Sequence, residues 1–234
     1  MKRVDDTENI GQVLVVIPAF NEEKSIGNLL TRLFQSGFTE IVVVDDASTD
    51  NTLKCALESG VTVLPLRERL GAWGAAQTGI RYGCQKDYQF IITVDADGQH
   101  PPESIEYLVK ALQTKDCDVL IGSCPERGSV ARHIAWWLFR KLSGASLKDI
   151  TSGLRVYNKR AAKLVAEADV TLFDYQDIGV LLYLLRNGMK IDEIEVIMEK
   201  RLDGKSRIFN SWGLVVRYML MTLVICVSLR KKDN

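Results

Sequence analysis

Runs of β-branched residues alternate with helically spaced apolar residues along the first half of the chain. Val13-Leu-Val-Val-Ile17 and Ile41-Val-Val-Val44 are continuous apolar runs, closed by Pro18 and by Asp45-Asp46, and they read as strands buried on both faces. Between them Ile26, Leu29, Leu30, Leu33 and Phe34 recur at helical spacing within residues 25–37, where Gly37 supplies a C-cap. A second round follows: helix at 52–59, strand at 61–64, helix at 75–84 and strand at 90–94. A helix at 102–112 and a strand at 119–122 come next, and then the regularity fades. Alternation of this kind predicts an α/β domain, a Rossmann-like and mostly parallel sheet with helices on both faces. No linker or low-complexity tract marks a second domain within it.

The end of the chain has a different pattern. Residues 212–229 are almost wholly apolar, broken by Arg217 and closed by Arg230-Lys231-Lys232. As a helix this segment is about 27 Å long, just short of a hydrocarbon layer of about 30 Å. Two readings stay open: a helix buried on the domain, or an interfacial helix whose basic end meets anionic lipid. The expected division is a catalytic domain at 12–210 and an apolar, basic-ended helix at 211–234.

Charge and cysteine usage narrow the function classes. The 30 basic and 30 acidic side chains cancel, so no chain-wide field recruits nucleic acid and any anion site must be built locally. The five cysteines, Cys55, Cys84, Cys117, Cys124 and Cys226, show no CxxC spacing. That argues against a cysteine-rich zinc module or a disulfide framework and fits a reducing compartment. Residues 1–11 are polar and include Asp5, Asp6 and Glu8, so they lack a secretory signal's basic-then-apolar order. The expectation is a cytoplasmic protein.

In an open α/β sheet, ligands gather at the carboxyl ends of the strands. Three such ends carry polar groups: Pro18-Ala-Phe-Asn-Glu22, Asp45-Asp-Ala-Ser-Thr-Asp50 and Asp95-Ala-Asp-Gly-Gln-His100. Asp95 and Asp97 would repel one another unless a cation or a proton lay between them. Mg²⁺ or Mn²⁺ resolves the conflict, with the Gln99 amide oxygen as a further hard ligand and a diphosphate completing the shell. Taken alone, the Asp-x-Asp tripeptide is weak evidence, since solvated acidic turns are common. Asp50 and Thr52 read as helix-start residues, whereas two adjacent carboxylates at 45–46 are harder to explain as caps. For Asp46 the sharper reading is contact with a base or ribose.

The segments VVIPAFNEE, IVVVDDASTDNT, LGAWGAAQTGI, VDADGQHPPE, DITSGLRVY and RLDGKSR occur in this order, and over about residues 12–210 the chain resembles family 2 glycosyltransferases. It looks like the dolichol-phosphate mannose synthase branch. The resemblance implies a GT-A fold, a nucleoside diphosphate sugar donor, a divalent cation and inversion at the anomeric carbon. By position it implies that Pro18, Ala19 and Glu22 line the nucleoside pocket, that Asp46 meets the nucleobase, and that Asp95 contacts donor and metal. Asp97 and Gln99 would be the principal metal ligands. Gly71 and Gly74 fall on a glycine-containing loop near the donor, where packing and direct contact are equally good readings.

On the acceptor side, residues 149–155 resemble the family's DxxSGFR element, with Leu154 in place of the usual phenylalanine. Asp149 and Ser152 are then candidates there. Arg132 is the preferred acceptor-phosphate ligand, and Arg127 is a substitute, because this chain has Gly122-Ser123-Cys124 where many relatives have Gly-Ser-Arg. Residues 201–207 match a basic loop that closes over the donor, which puts Arg201 on the diphosphate, Lys205 nearby and Ser206 as a hydrogen-bond donor. A polyprenyl phosphate acceptor is already ionised and needs no general base. A hydroxyl of a lipid-linked saccharide, the alternative met in surface-polysaccharide assembly, needs a carboxylate such as Asp149, Asp174 or Asp177. A lipid acceptor favours the interfacial reading of the last helix and a peripheral place on the cytoplasmic face of a membrane. A nucleotidylyltransferase would show a glycine-rich basic loop after its first strand, and Pro18-Ala-Phe-Asn-Glu22 is not one.

Overall fold

The computed structural model describes residues 13–127, 133, 136–137, 140–141, 147–167 and 176–199. Among these, seven strands form one sheet: β1 (Val13–Ala19), β2 (Ile41–Asp45), β3 (Thr62–Pro65), β4 (Phe90–Thr93), β5 (Val119–Ser123), β6 (Arg155–Asn158) and β7 (Ile191–Glu195). Their order is β3-β2-β1-β4-β6-β5-β7. β6 pairs antiparallel with both of its neighbours, and every other pairing is parallel. Six strands therefore end at one rim, and β6 begins there. The helices are α1 (Ile26–Gln35), α2 (Thr52–Glu58), α3 (Gly71–Gln85), α4 (Pro102–Thr114), α5 (Lys159–Glu167) and α6 (Gln176–Arg186).

Strict alternation along β1 builds two cores. Leu14 and Val16 face Trp73, Ala76 and Ile80 of α3, together with Val165 of α5 and Leu181 of α6. Val13, Val15 and Ile17 face Leu29, Leu30 and Leu33 of α1, and Leu108 and Leu112 of α4. Each such side chain contributes about 1.5–3 kcal/mol when fully buried, which is why the central strands are β-branched throughout. The close seat of α3 needs small residues: a Cβ at Gly79 would lie 2.2 Å from Val16 Cγ1, and one at Gly83 2.5 Å from Ile91 Cδ1.

The expected elements of the first half are present, with shifted ends. α1 closes before Gly37, whose N–H reaches the Phe34 carbonyl, while the Phe34 side chain is half exposed and not part of the stripe. β3 starts one residue late. α3 starts at Gly71, four residues earlier than its apolar spacing suggests, because a carboxylate from another strand end holds its first amides. β6, β7, α5 and α6 were not foreseen. The expected C-terminal helix at 211–234 lies outside the described residues, among which no helix is long and apolar enough to cross a membrane.

Candidate active site

The loops after β1 and β2 are tied together by their own polar side chains. Asn21 donates its N–H to Ser48 Oγ (3.0 Å) and accepts the Thr49 N–H at Oδ1 (2.8 Å). The Glu22 N–H reaches Thr52 Oγ1 (2.7 Å), and the Glu23 N–H reaches Asp50 Oδ2 (3.2 Å). Asp50 also accepts the Thr52 N–H (2.9 Å), the helix-start role expected of it. The Glu22 carboxylate accepts Ser25 Oγ–H at 3.0 Å, which turns it toward the start of α1. Pro18 and Ala19 end β1 beneath this lacing, with Ala19 in register with Asp45.

Asp45 and Asp46 are both buried. Asp45 Oδ2 accepts the Ser48 N–H (3.3 Å), and its Oδ1 is buried without a hydrogen-bond partner. Asp46 accepts the N–H of Leu70 (2.6 Å) and of Gly71 (3.0 Å), and so caps α3. Gly71 has φ +79°, a conformation that fits glycine and lets the chain turn onto that carboxylate. Burial pushes the Asp46 carboxyl above its ordinary value, against the two amides and the Arg69 charge. The Arg69 guanidinium lies 3.9 Å over the Phe20 ring, with Nε 3.9 Å from Asp46 Oδ2. Gly74 packs on Leu70, since a Cβ there would meet Leu70 Cβ at 2.6 Å.

The Asp95-Ala96-Asp97 loop follows β4 at the same rim. Asp97 Oδ1 accepts the Gln99 N–H at 3.1 Å, closing a tight turn. Asp95 is partly exposed, and its Oδ2 lies 4.0 Å from Nε2 of the fully buried His100. A Cβ at Gly153 would fall 2.1 Å from Asp95 Oδ1, so the backbone of the 149–155 loop lies directly against this carboxylate. Thr93 Oγ1–H donates to the Gly153 carbonyl (2.8 Å) and pins the approach.

The 149–155 loop is held from within. Asp149 is fully buried; it accepts the Thr151 N–H (3.1 Å) and Oγ1–H (2.9 Å) at Oδ1 and the Cys124 N–H (3.3 Å) at Oδ2. Ser152, also fully buried, donates Oγ–H to the Gly122 carbonyl at 2.5 Å. Arg155 is 2% exposed and donates to the carbonyls of Ser152 (2.9 Å) and Ile150 (3.0 Å). Sequence reasoning missed this role of Arg155, because nothing local distinguishes a buried arginine that braces carbonyls from one on the surface. Asp149 and Ser152 are thus brought to the rim, but as braces of the loop.

Beyond β7 the chain crosses the same region. The Ile197 carbonyl accepts Ser104 Oγ–H (3.0 Å), the Glu199 N–H donates to the Gln99 carbonyl (2.8 Å), and Gln99 Nε2–H donates to the Glu199 carbonyl (3.2 Å). Arg32 of α1 forks onto the Glu199 carboxylate at 2.7 and 2.9 Å. Arg132, Arg201, Lys205, Ser206 and Asp174 lie outside the described residues, as do the side chains of Arg127 and Asp177.

The donor set at 95–99 fits a hard divalent cation: two carboxylates and an amide on one turn, one carboxylate buried and one partly exposed. Among the described residues, no group of three or more His, Cys, Asp or Glu side chains converges on one point.

The family model described as Glycosyl transferase family 2 matches residues 14–163. An uncharacterized protein of Methanocaldococcus jannaschii is 34% identical, over 80% of this chain and 82% of that one. Undecaprenyl-phosphate mannosyltransferase of Micrococcus luteus is 28% identical, over 88% and 96%. Polyprenol monophosphomannose synthase of Mycolicibacterium smegmatis is 27% identical, over 86% and 82%. Among solved structures, glucosyl-3-phosphoglycerate synthase from Mycobacterium tuberculosis, in complex with Mn²⁺, uridine diphosphate and phosphoglyceric acid, superposes with a TM-score of 0.75 at 19% identity. That likeness covers 99% of this chain and 86% of the other and shows a shared GT-A-like α/β fold.

Proposed function

The chain belongs to glycosyl transferase family 2, and from that premise we propose that it moves a sugar, with inversion, from a nucleoside diphosphate sugar to a polyprenyl phosphate. The observation that carries this reading is the contact of Gly153 with Asp95, which sets the acceptor-side loop against the donor-side carboxylates. The lipid-phosphate acceptors named for the Micrococcus and Mycolicibacterium relatives support it.

In this reading, Pro18, Ala19 and Glu22 line the nucleoside pocket, and Asp46 shapes it by fixing the start of α3. Asp95, Asp97 and Gln99 would hold Mg²⁺ or Mn²⁺, which when bound offsets the charge gathering on the departing diphosphate. Arg201 serves the same diphosphate and Ser206 donates to it. Arg132, with Arg127, takes the acceptor phosphate, where the planar guanidinium fork matches phosphate oxygens. The acceptor oxygen attacks the anomeric carbon as the bond to the diphosphate breaks, and no proton has to be removed. The burial of Asp149 argues against that residue as a base for a saccharide hydroxyl: Oδ1 already accepts hydrogen bonds from Thr151 and Oδ2 one from the Cys124 N–H. Residues 12–210 form the catalytic domain, and residues 211–234 hold the enzyme at the cytoplasmic face of a membrane.

The decisive assay supplies labelled uridine- and guanosine-diphosphate sugars, with Mn²⁺ or Mg²⁺, to polyprenyl phosphate and to a lipid-linked saccharide. The expected product is an acid-labile lipid phosphodiester. Label appearing only on the saccharide hydroxyl would move the assignment to the alternative acceptor, and hydrolysis without transfer would overturn it.

A further inference from the structure

Gln99 has four hydrogen-bonding groups, and three are committed. Its main-chain N–H closes the turn on Asp97, its carbonyl accepts the Glu199 N–H, and its side-chain Nε2–H donates to the Glu199 carbonyl. The last of these fixes the amide's orientation, because only the nitrogen end can donate to a carbonyl. The oxygen end, Oε1, is what remains to be offered to a ligand.

Glu199 is itself fixed from outside the site. It lies in a short stretch that leaves β7 with the Val196 N–H on the Ser123 carbonyl (2.9 Å) and the Ile197 carbonyl on Ser104 Oγ–H (3.0 Å). Its exposed carboxylate takes both arms of the Arg32 guanidinium, 167 residues away in sequence and on the last turn of α1. The Arg32 hydrogen bonds hold Glu199 below its ordinary carboxylate value. A two-armed fork constrains direction as well as distance, which a single lysine contact would not.

We propose that Arg32 is a positioning residue for the cation site: through Glu199 it fixes the Gln99 amide so that Oε1 is aimed at the ion. The inference rests on the reading of Gln99 as a cation ligand. Arg32 lies on α1 and reaches the site only through the Glu199 carboxylate. It contributes by restricting a glutamine side chain that would otherwise sample several rotamers. Partners that orient a metal's ligands typically matter 10–100-fold in affinity, and solvent around this pair reduces the expectation to about 3–10-fold.

The experiment titrates Mn²⁺ by electron paramagnetic resonance into the full chain, alone and with uridine or guanosine diphosphate, and measures transfer across Mn²⁺ concentrations. In Arg32→Gln and Glu199→Gln, Mn²⁺ affinity should fall about 3–10-fold while kcat at saturating Mn²⁺ stays within about twofold. The charge-exchanged double variant R32E/E199R should recover affinity, and Arg32→Lys should fall between. A shared thermal melting point establishes that each variant is folded. Gln99→Ala separates the two readings. If it binds Mn²⁺ as wild type does, Gln99 is not a ligand and the inference falls with that assignment. If it weakens binding while Arg32→Gln does not, or if the double variant stays as weak as the singles, only the positioning role is overturned.

Discussion

At the scale of single residues, the site joins side chains buried and hydrogen-bonded within the fold with others that stay partly exposed. Asp46, Asp149, Ser152 and Arg155 are buried and hydrogen-bond backbone groups, with Asp149 also accepting the Thr151 hydroxyl, while Asp95 is partly exposed. Asp97 stands between the two: one oxygen closes its own turn, and the residue is 9% exposed. Replacing it with alanine should lower kcat by about 10²–10³, the scale of losing an electrostatic stabiliser at a developing charge. The melting temperature should barely change. Transfer that still responds to Mn²⁺ in the variant would remove Asp97 from the cation site. The positions of Asp46, Asp95, Asp97 and Gln99 at one rim were legible from sequence, because each follows a β-branched run that could only be a buried strand. Their division of labour was not, since whether a carboxylate faces a ligand or an amide depends on the element packed against it.

At the scale of elements, legibility tracked burial. β1 and β2 lie buried on both faces and announce themselves as apolar runs. β6 reads Arg-Val-Tyr-Asn and β7 reads Ile-Asp-Glu-Ile-Glu, and neither pattern is apolar enough to declare a strand. Their pairing is set by polar groups from distant segments. Asp118, just before β5, accepts Asn158 Nδ2–H at the end of β6 and the Lys190 N–H ahead of β7, both at 2.9 Å. Burial alone would raise its pKa; the Lys190 N–H, the Asn158 amide and the charges of Arg160 and Lys190 together bring it below 3.8. With the folded value below the unfolded one, ionised Asp118 contributes stability that is present above pH 3.8 or so and is lost as pH falls through the folded value. Asp118→Asn should therefore cost about 1–2 kcal/mol near neutral pH and progressively less in acid, read as converging melting curves between about pH 5 and 3. A difference independent of pH would mean that charge at this position contributes nothing.

At the scale of the whole molecule, the chain combines a two-sided α/β core with a last segment whose composition suits a lipid surface. Removing residues 212–234 should lower binding to phosphatidylserine vesicles by about two orders of magnitude, at about 1 kcal/mol for each of Arg230, Lys231 and Lys232. Transfer to a short, water-soluble polyprenyl phosphate should persist. Unchanged sedimentation with vesicles would assign the segment to the domain instead. The reversed strand β6 has its own consequence for how such a molecule diversifies. Because β5 ends and β6 begins at one rim, the two strand ends are neighbours there, joined by the Gly122-to-Leu154 hydrogen bond (2.9 Å), and the Cys124 N–H reaches the Asp149 carboxylate of the returning segment (3.3 Å). The two ends of the segment between them are therefore held close together, and a flexible insertion between fixed ends costs only about 0.6 kcal/mol per doubling of its length. An evolving lineage, or a protein engineer, can thus vary residues between these anchors while the parallel strands β1 to β4 keep their register.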